Sequence, residues 1–375
     1  WHKLETLEFS SLEKVACVPP AEPENLMECG SLLPYSLVFD RVSPKNPIAL
    51  KRFENRQHFT ATSSDDPILR ELANKDAGNV YATDTILGVL MAATRSGSSW
   101  DILIRKEGST LWLDKRAGSK IDFLTVNENW NEVQQTDKDS VNFPLNLSRE
   151  ATLINHNFSQ QVVGEPNAVE INYDHPNPFL SGLDKGMEPA AGAYRYRRFA
   201  MDGMNLVVRT SVSGYSARND KQLLLAVRAL NEFDSKLSGN VDWRQKLETQ
   251  HGAVFATEMK NNSFKLARWS AESILAGVHE VRIGFVSRKT TKDNLKHEIL
   301  LCKRYDPQAL ALQMNLRVTH MWGVVRKLVQ LVQEQEEDGL YLLLKDPNKA
   351  QLHLYKVPDN TFDAENESAD AFPSS

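Results

Sequence analysis

No apolar run long enough for a membrane-spanning helix occurs in this chain. Cysteine is scarce: Cys17, Cys29 and Cys302 are an odd set, at spacings that suit neither disulfide pairing nor zinc. Reduced thiols are the expectation, and with them a cytosolic or nuclear compartment, of which the cytoplasm is the expected one. Positive charge is not in excess. The formal net charge is −5, which excludes a protein that coats nucleic acid through a global basic field. There is no phosphate-binding glycine loop, dinucleotide fingerprint, nucleophile elbow or zinc spacing, so neither a cofactor nor a resident metal is expected.

What is present is an ordinary folded composition, 41% hydrophobic and 25% charged over 375 residues. Asp359, Asp363, Glu365, Glu367 and Asp370 near the end carry as much charge as the whole net excess, so the rest is balanced and any anion site must be a local patch. The pattern predicts one domain over 1–358, with a proline-punctuated extended segment at 1–50. It also predicts a mobile polar insert at 127–144 and an acidic disordered tail at 359–375.

Helical spacing is expected from Asp84 to about Arg95 with Thr83 as N-cap, around 149–156, and over 314–335. Leu266, Trp269, Ile274 and Leu275 keep the same period up to Gly277, which ends that helix. Residues 100–104 with 110–113, and 340–344 with 351–355, read as hairpins; 121–126, 194–199, 223–227, 253–256 and 281–286 read as strands. The fold class is α+β, with mostly antiparallel central sheets flanked by helices.

Two acidic strings stand beside apolar runs: Glu232-Phe233-Asp234 after 223–227, and Glu258-Met259-Lys260 after 253–256. If both are strands, Glu232 shares a face with Asp234 and Glu258 with Lys260, because side chains alternate. Paired, they would gather three carboxylates and a lysine within roughly 5–7 Å, the donor set of a divalent-metal nuclease; a solvated strand face reads as well. Arg195 and Arg197 lie on one face of a strand and Tyr194 and Tyr196 on the other, which suits either a phosphate-holding groove or an ordinary half-exposed strand. On the groove reading Lys260 extends the same path for a phosphate chain such as RNA. Arg282, Arg288, Lys289 and Lys292 read as a solvated face. Tyr81, Trp100, Trp112 and Trp130 are possible stacking partners for a base, though each could be core, and core is the favoured reading for Trp100 and Trp112.

The order acidic strand, acidic-lysine string, helix and strand across about 190–305 resembles the DXO-type decapping nucleases. Closer still are the strings Asn-Val-Tyr-Ala-Thr-Asp at 79–84, Ile-Asn-His-Asn-Phe-Ser at 154–159, Ala-Tyr-Arg-Tyr-Arg-Arg at 193–198, Val-Asp-Trp-Arg-Gln-Lys-Leu at 241–247 and Lys-Asp-Pro-Asn-Lys at 345–349. Together they resemble the d-subunit family of eukaryotic translation initiation factor 3, from about Trp1 to Pro358. The resemblance implies a DXO-like cup with a central cleft that binds the mRNA cap. It places cap contacts at Asp84, Gly97 and Ser98 on one helix and at Thr152, Asn155 and His156 on a second. The partners it implies are capped mRNA, the other subunits of the factor and the small ribosomal subunit.

One departure is chemical. Arg209 stands where the nucleases carry a glutamate ligand, and Glu272 where they carry a glutamine. A guanidinium cannot deprotonate and repels a metal ion. A degenerate pocket of Arg209, Glu232, Asp234, Glu258, Lys260 and Glu272, with no catalytic residue, is therefore expected. An active metal-dependent RNA 5′-end nuclease is the alternative.

Overall fold

The structure, a computed structural model, describes residues 1–129, 137–164, 168–201, 203–218, 221–236 and 241–363. Its frame is two sheets. The larger has ten strands, in spatial order His2–Glu8, Gln351–Val357, Gly339–Lys345, Asp101–Glu107, Thr110–Asp114, Val80–Thr83, Met204–Val212, Gly192–Met201, Glu24–Leu32 and Ile171–Asn172. All neighbours run antiparallel except around Val80–Thr83, which is parallel to both of its partners. That strand is buried at every position, as expected of a parallel strand covered on both faces. The smaller sheet orders Gly214–Arg218, Lys221–Glu232, Glu280–Arg288, His297–Tyr305 and Ile48–Ala49, with one parallel pair at its centre. The α+β class expected from the sequence, mostly antiparallel sheets flanked by helices, is the class observed.

Helix Ser263–Ala276 is wedged between the sheets. Ala267, Ala271 and Leu275 join the core under the large sheet, with helices Asp84–Met91 and Val318–Gln333. Leu266 and Trp269 join the core under the small sheet, with Trp243, Phe255 and Phe285. A helix buried on two sides needs an apolar stripe on each, and this sequence supplies both. It ends at Gly277, whose φ of +64° favours glycine. Helix Pro144–Val162 covers the other face of the small sheet, placing Ile154, Phe158 and Val162 against Leu225, Val227 and Val286.

Several expectations are corrected. Residues 253–256 are not a strand: they belong to helix Trp243–Asn261, which kinks at Gln250. Residues 121–126 form a 3₁₀ turn, Lys120–Asp122, and an irregular stretch. The first fifty residues do not merely wrap the core, since His2–Glu8 and Glu24–Leu32 are strands of the large sheet. The 149–156 helix extends over Pro144–Val162, and the 314–335 helix is Val318–Gln333. Arg282 and Arg288 are not solvated: Arg282 pairs with Glu280 and Asp40, and Arg288 with Glu150. Of the 127–144 insert, 130–136 lie outside the described residues, Trp130 included. The start of the acidic tail is ordered: Phe362 is buried beneath Arg116, and Asp359 reaches Arg105 at 3.7 Å. Residues 364–375 lie outside the described ones.

Candidate functional site

Where the Met204–Val212 strand of the large sheet approaches Lys221–Glu232 of the small one, a cleft of about 220 Å³ opens. Thr83, Asp84, Asn155, His156, Arg209 and Arg228 are among its lining residues. Val80–Thr83 delivers helix Asp84–Met91 there; Thr83 Oγ1 accepts from Ile86 N at 3.3 Å and so fixes where the helix starts. Asp84 is 4% exposed. Its Oδ1 accepts from Thr85 N and its Oδ2 from Ser211 N, both at 2.8 Å. One carboxylate thus joins the helix start to the neighbouring strand and holds a fixed orientation at the cleft wall. From helix Pro144–Val162, Asn155 and His156 enter the same cleft; Asn155 Oδ1 accepts from Ala229 N at 3.0 Å.

Arg209 is opposite Tyr196 on one side and Thr83 on the other. Its Nη1 donates to Asp66 Oδ2 at 2.9 Å and its Nη2 to the Ala61 carbonyl at 2.6 Å; Nε has no partner among the described residues. The rings of Phe179 and Tyr194 lie 5.0 and 5.6 Å from its guanidinium carbon. Asp66 is fully buried and also accepts from the Tyr196 hydroxyl at 3.0 Å. Burial, then the adjacent Asp66, pushes the Tyr196 phenol well above its ordinary range. Beside this pair, Arg228 donates to Glu272 Oε2 at 3.0 Å, and Arg268 is 3.8 Å from Oε1. Burial raises the Glu272 carboxyl while the two guanidiniums oppose it.

None of the described aromatics offered by the sequence as stacking partners lines the cleft, and Trp100 is in the core as favoured. Trp100 is in the core under the large sheet, and Tyr81 stacks on Trp112 in a separate cluster. His58, Phe59 and Tyr194 line the cleft instead. His58 lies on His156 with ring centres 3.8 Å apart and planes 8° apart. Burial, then His156, lowers the His58 pKa to about 3; burial, then Arg228, lowers His156 to about 4. No pattern of spacing marks His58, a lone histidine in a polar stretch.

The other expected residues are elsewhere. Thr152 turns away from the cleft: Oγ1 accepts from Leu124 N at 3.0 Å and donates to the Ser148 carbonyl at 2.9 Å. Gly97 and Ser98 are exposed, and Ser98 borders a separate crevice with Trp100 and Phe264. Arg195 and Arg197 share a face, as alternation requires, but that face packs on the end of helix Ser263–Ala276. Arg195 Nη1 donates to the Ala276 carbonyl at 2.8 Å and Arg197 Nη1 to the Leu275 carbonyl at 2.6 Å. They satisfy helix carbonyls rather than line a path for RNA.

Nor do the acidic strings meet as strands. Glu232 accepts from Trp243 N at 3.0 Å and from the Ser287 hydroxyl at 2.8 Å. Asp234 lies past the strand end and accepts from Lys236 N at 2.9 Å. Glu258 accepts from Asn262 Nδ2 at 2.9 Å and is buried; burial raises its pKa, Lys265 lowers it and Glu232 adds to it. Lys260, two positions along the same helix, is exposed. Alternation puts strand residues two apart on one face, but a helix turns them to different sides.

These carboxylates do not fit a divalent ion. Asp66 and Glu272 are committed to guanidiniums, and Glu232 and Glu258 to hydrogen-bond donors. Among the described residues, no group of three or more acidic, His or Cys side chains converges as a metal site. Glu128, in the polar insert, accepts from Phe264 N and Lys265 N at 2.9 and 2.8 Å, so it caps helix Ser263–Ala276 outside the cleft.

The sequence profile of the family described as eukaryotic translation initiation factor 3 subunit 7 (eIF-3) matches residues 1–356. The chain belongs to this family. It is 44% identical to the D subunit of eukaryotic translation initiation factor 3 from Nasonia vitripennis over 99% of its length, and 46% identical to the D subunit from Arabidopsis thaliana over 97%. It spans 66% and 60% of those two relatives. Among solved structures, Candida albicans Rai1 in complex with pU5-Mn2+ superposes with a TM-score of 0.58 at 11% identity, covering 96% of this chain and 98% of that one. Scheffersomyces stipitis Rai1, in complex with (3'-NADP)+ and calcium ion, gives 0.58 at 14%, covering 97% and 95%. At such identities the likeness is one of fold.

Proposed function

We propose that this member of the subunit 7 family is a non-catalytic module that holds the capped 5′ end of mRNA in the cleft between its two sheets, as part of a cytoplasmic translation initiation complex. The observation that carries the reading is the Arg209–Asp66 pair beneath the cleft. Candida albicans Rai1, which shares the fold, was solved in complex with pU5-Mn2+. Here Asp66 and Glu272, the buried acids beside the cleft, each neutralise an arginine. Such a pocket suits binding an end rather than cutting it.

A methylated guanine carries N–H donors along its Watson–Crick edge and a positive charge on the ring. Asp84, with each oxygen already holding one backbone donor, keeps lone pairs for that edge, and its charge complements the ring. Arg228, which lines the cleft from the small sheet, suits the phosphates that follow. Other subunits of the factor and the small ribosomal subunit are the proposed protein and ribosomal partners, through surfaces away from this cleft.

The test is crosslinking of cap-labelled RNA to the chain, competed by free cap analogue, with Asp84→Asn and Asn155→Glu as variants. Capture that the analogue abolishes and both variants weaken is the expected result. Capture indifferent to the analogue overturns cap recognition. Mg²⁺- or Mn²⁺-dependent loss of the label overturns the non-catalytic part.

A further inference from the structure

We propose that His58 and His156 are the two faces of a clamp for a flat cationic base, closed on itself in this structure and opening by one ring thickness to admit it. The inference rests on the cap-binding reading and names what holds the base, which that reading leaves open.

The two imidazoles lie in the cleft with ring centres 3.8 Å apart and planes 8° apart. That is the geometry of a filled stack with nothing between its layers. Among the described residues, no hydrogen bond reaches either ring. Imidazole nitrogens are good donors and acceptors, so a pair kept for structure would be expected to use them. Here stacking alone holds His58 against its partner.

The supports of the two rings differ in kind. His156 is on helix Pro144–Val162, fixed against the small sheet by Ile154 and Phe158. His58 is on an irregular strap. At one end the Gln57 carbonyl accepts from Ala190 N at 2.9 Å. At the other, Ala61 O accepts from Arg209 at 2.6 Å and Thr62 Oγ1 donates to Asp114 at 2.9 Å. A shift of roughly 3.5 Å, the contact distance of stacked atoms, separates the rings enough for a third layer. The cost is one imidazole–imidazole contact, and the return is two ring–base contacts.

The charge state favours this ligand. With both pKa values pushed down by burial, the rings are neutral near pH 7 and present electron-rich faces to a methylated, positively charged purine. The groups lining the space around them are Asp84, Asp122, Lys115, Arg209 and Arg228. Lys115 pairs with Asp122, and Arg209 with Asp66, so the carboxylate of Asp84 is left to face the cationic edge while the rings take its planes. A strap that only occupied the site would compete with the base, and its removal would improve binding.

Those alternatives predict opposite signs. Binding of the full chain to a fluorescent methylated cap analogue and to its unmethylated counterpart is measured for the parent, His58→Ala, His58→Phe and His156→Ala, with thermal melts to verify folding. A clamp predicts roughly tenfold weaker binding of the methylated analogue in His58→Ala, near-parental binding in His58→Phe, and a smaller loss for the unmethylated analogue. Equal or tighter binding by a folded His58→Ala overturns the clamp and leaves cap recognition standing. Failure of the parent to bind either analogue overturns cap recognition and the clamp with it.

Discussion

Arg209 and Asp66 meet at 2.9 Å beneath the cleft, 6% and 0% exposed, as a buried ion pair between a strand and the residue that caps a helix start. Asp66 Oδ1 accepts from Ile68 N and Leu69 N, so the carboxylate that neutralises Arg209 also starts helix Pro67–Asn74. Removing one partner strands the other charge. Arg209→Met should cost about 3–5 kcal/mol, and Asp66→Asn a comparable amount. The double variant should lose clearly less than the sum. Denaturant titrations of the four proteins check this, and strict additivity would show that the two charges do not depend on each other.

Arg195 and Arg197 should matter for stability and not for RNA. Each donates to a last-turn carbonyl of helix Ser263–Ala276, and Arg197 also fills the space at Gly277, where an added Cβ would come 2.5 Å from its Nη1. Arg197→Ala is expected to lower stability by about 1.5–3 kcal/mol. Capped-RNA capture per folded molecule should be unchanged. A selective loss of capture at unaltered melting temperature would return both arginines to the RNA path.

The stacked histidines set a direction with pH. Their folded pKa values, about 3 and about 4, lie below the ordinary 6.5. Between those limits the unfolded chain binds protons that the folded one refuses, so their contribution to stability is full above pH 6.5 and declines on acidification. Glu258, raised by burial, slopes the opposite way, which makes a single curve ambiguous. The difference between the parent and His58→Phe isolates the ring. The parent should lose more stability than the variant from pH 7 to pH 5, read by thermal melts in matched buffers; parallel curves would show that His58 is not held neutral.

Supplying metal should not create activity. With Asp66 and Glu272 paired to arginines, 5′-labelled RNA incubated with Mg²⁺ or Mn²⁺ should remain intact, and manganese should not shift the melting temperature. Degradation that Glu258→Gln abolishes would revive the nuclease alternative.

Local signals carry most of the fold. Helix Ser263–Ala276 is readable from Leu266, Trp269 and Leu275 and from the glycine that ends it, and the strand pair Asp101–Glu107 and Thr110–Asp114 from its turn. The run at 253–256 misleads because four apolar residues fit a buried strand or a buried helix turn equally, and the kink at Gln250 hides the helical period before it. At the site, Asp84, Asn155, His156 and Arg209 are legible in the sequence and do share one cleft. Their partners are not. Asp66 and His58 are distant in sequence, and the face carrying Arg195 and Arg197 says nothing about what covers it.

The pairing of His2–Glu8 with Gln351–Val357 has a consequence for how the molecule forms. These strands are far apart in sequence, and the inner one also pairs with Gly339–Lys345. Until 339–357 has been synthesised, the described residues offer His2–Glu8 no strand partner and leave one edge of Asp101–Glu107 unpaired. Closing this edge therefore rests on contacts of very long sequence separation, a slow step during which the half-made sheet invites association with other chains. A nascent chain stopped before residue 339 should be bound by chaperones and open to proteases, whatever RNA is offered to it.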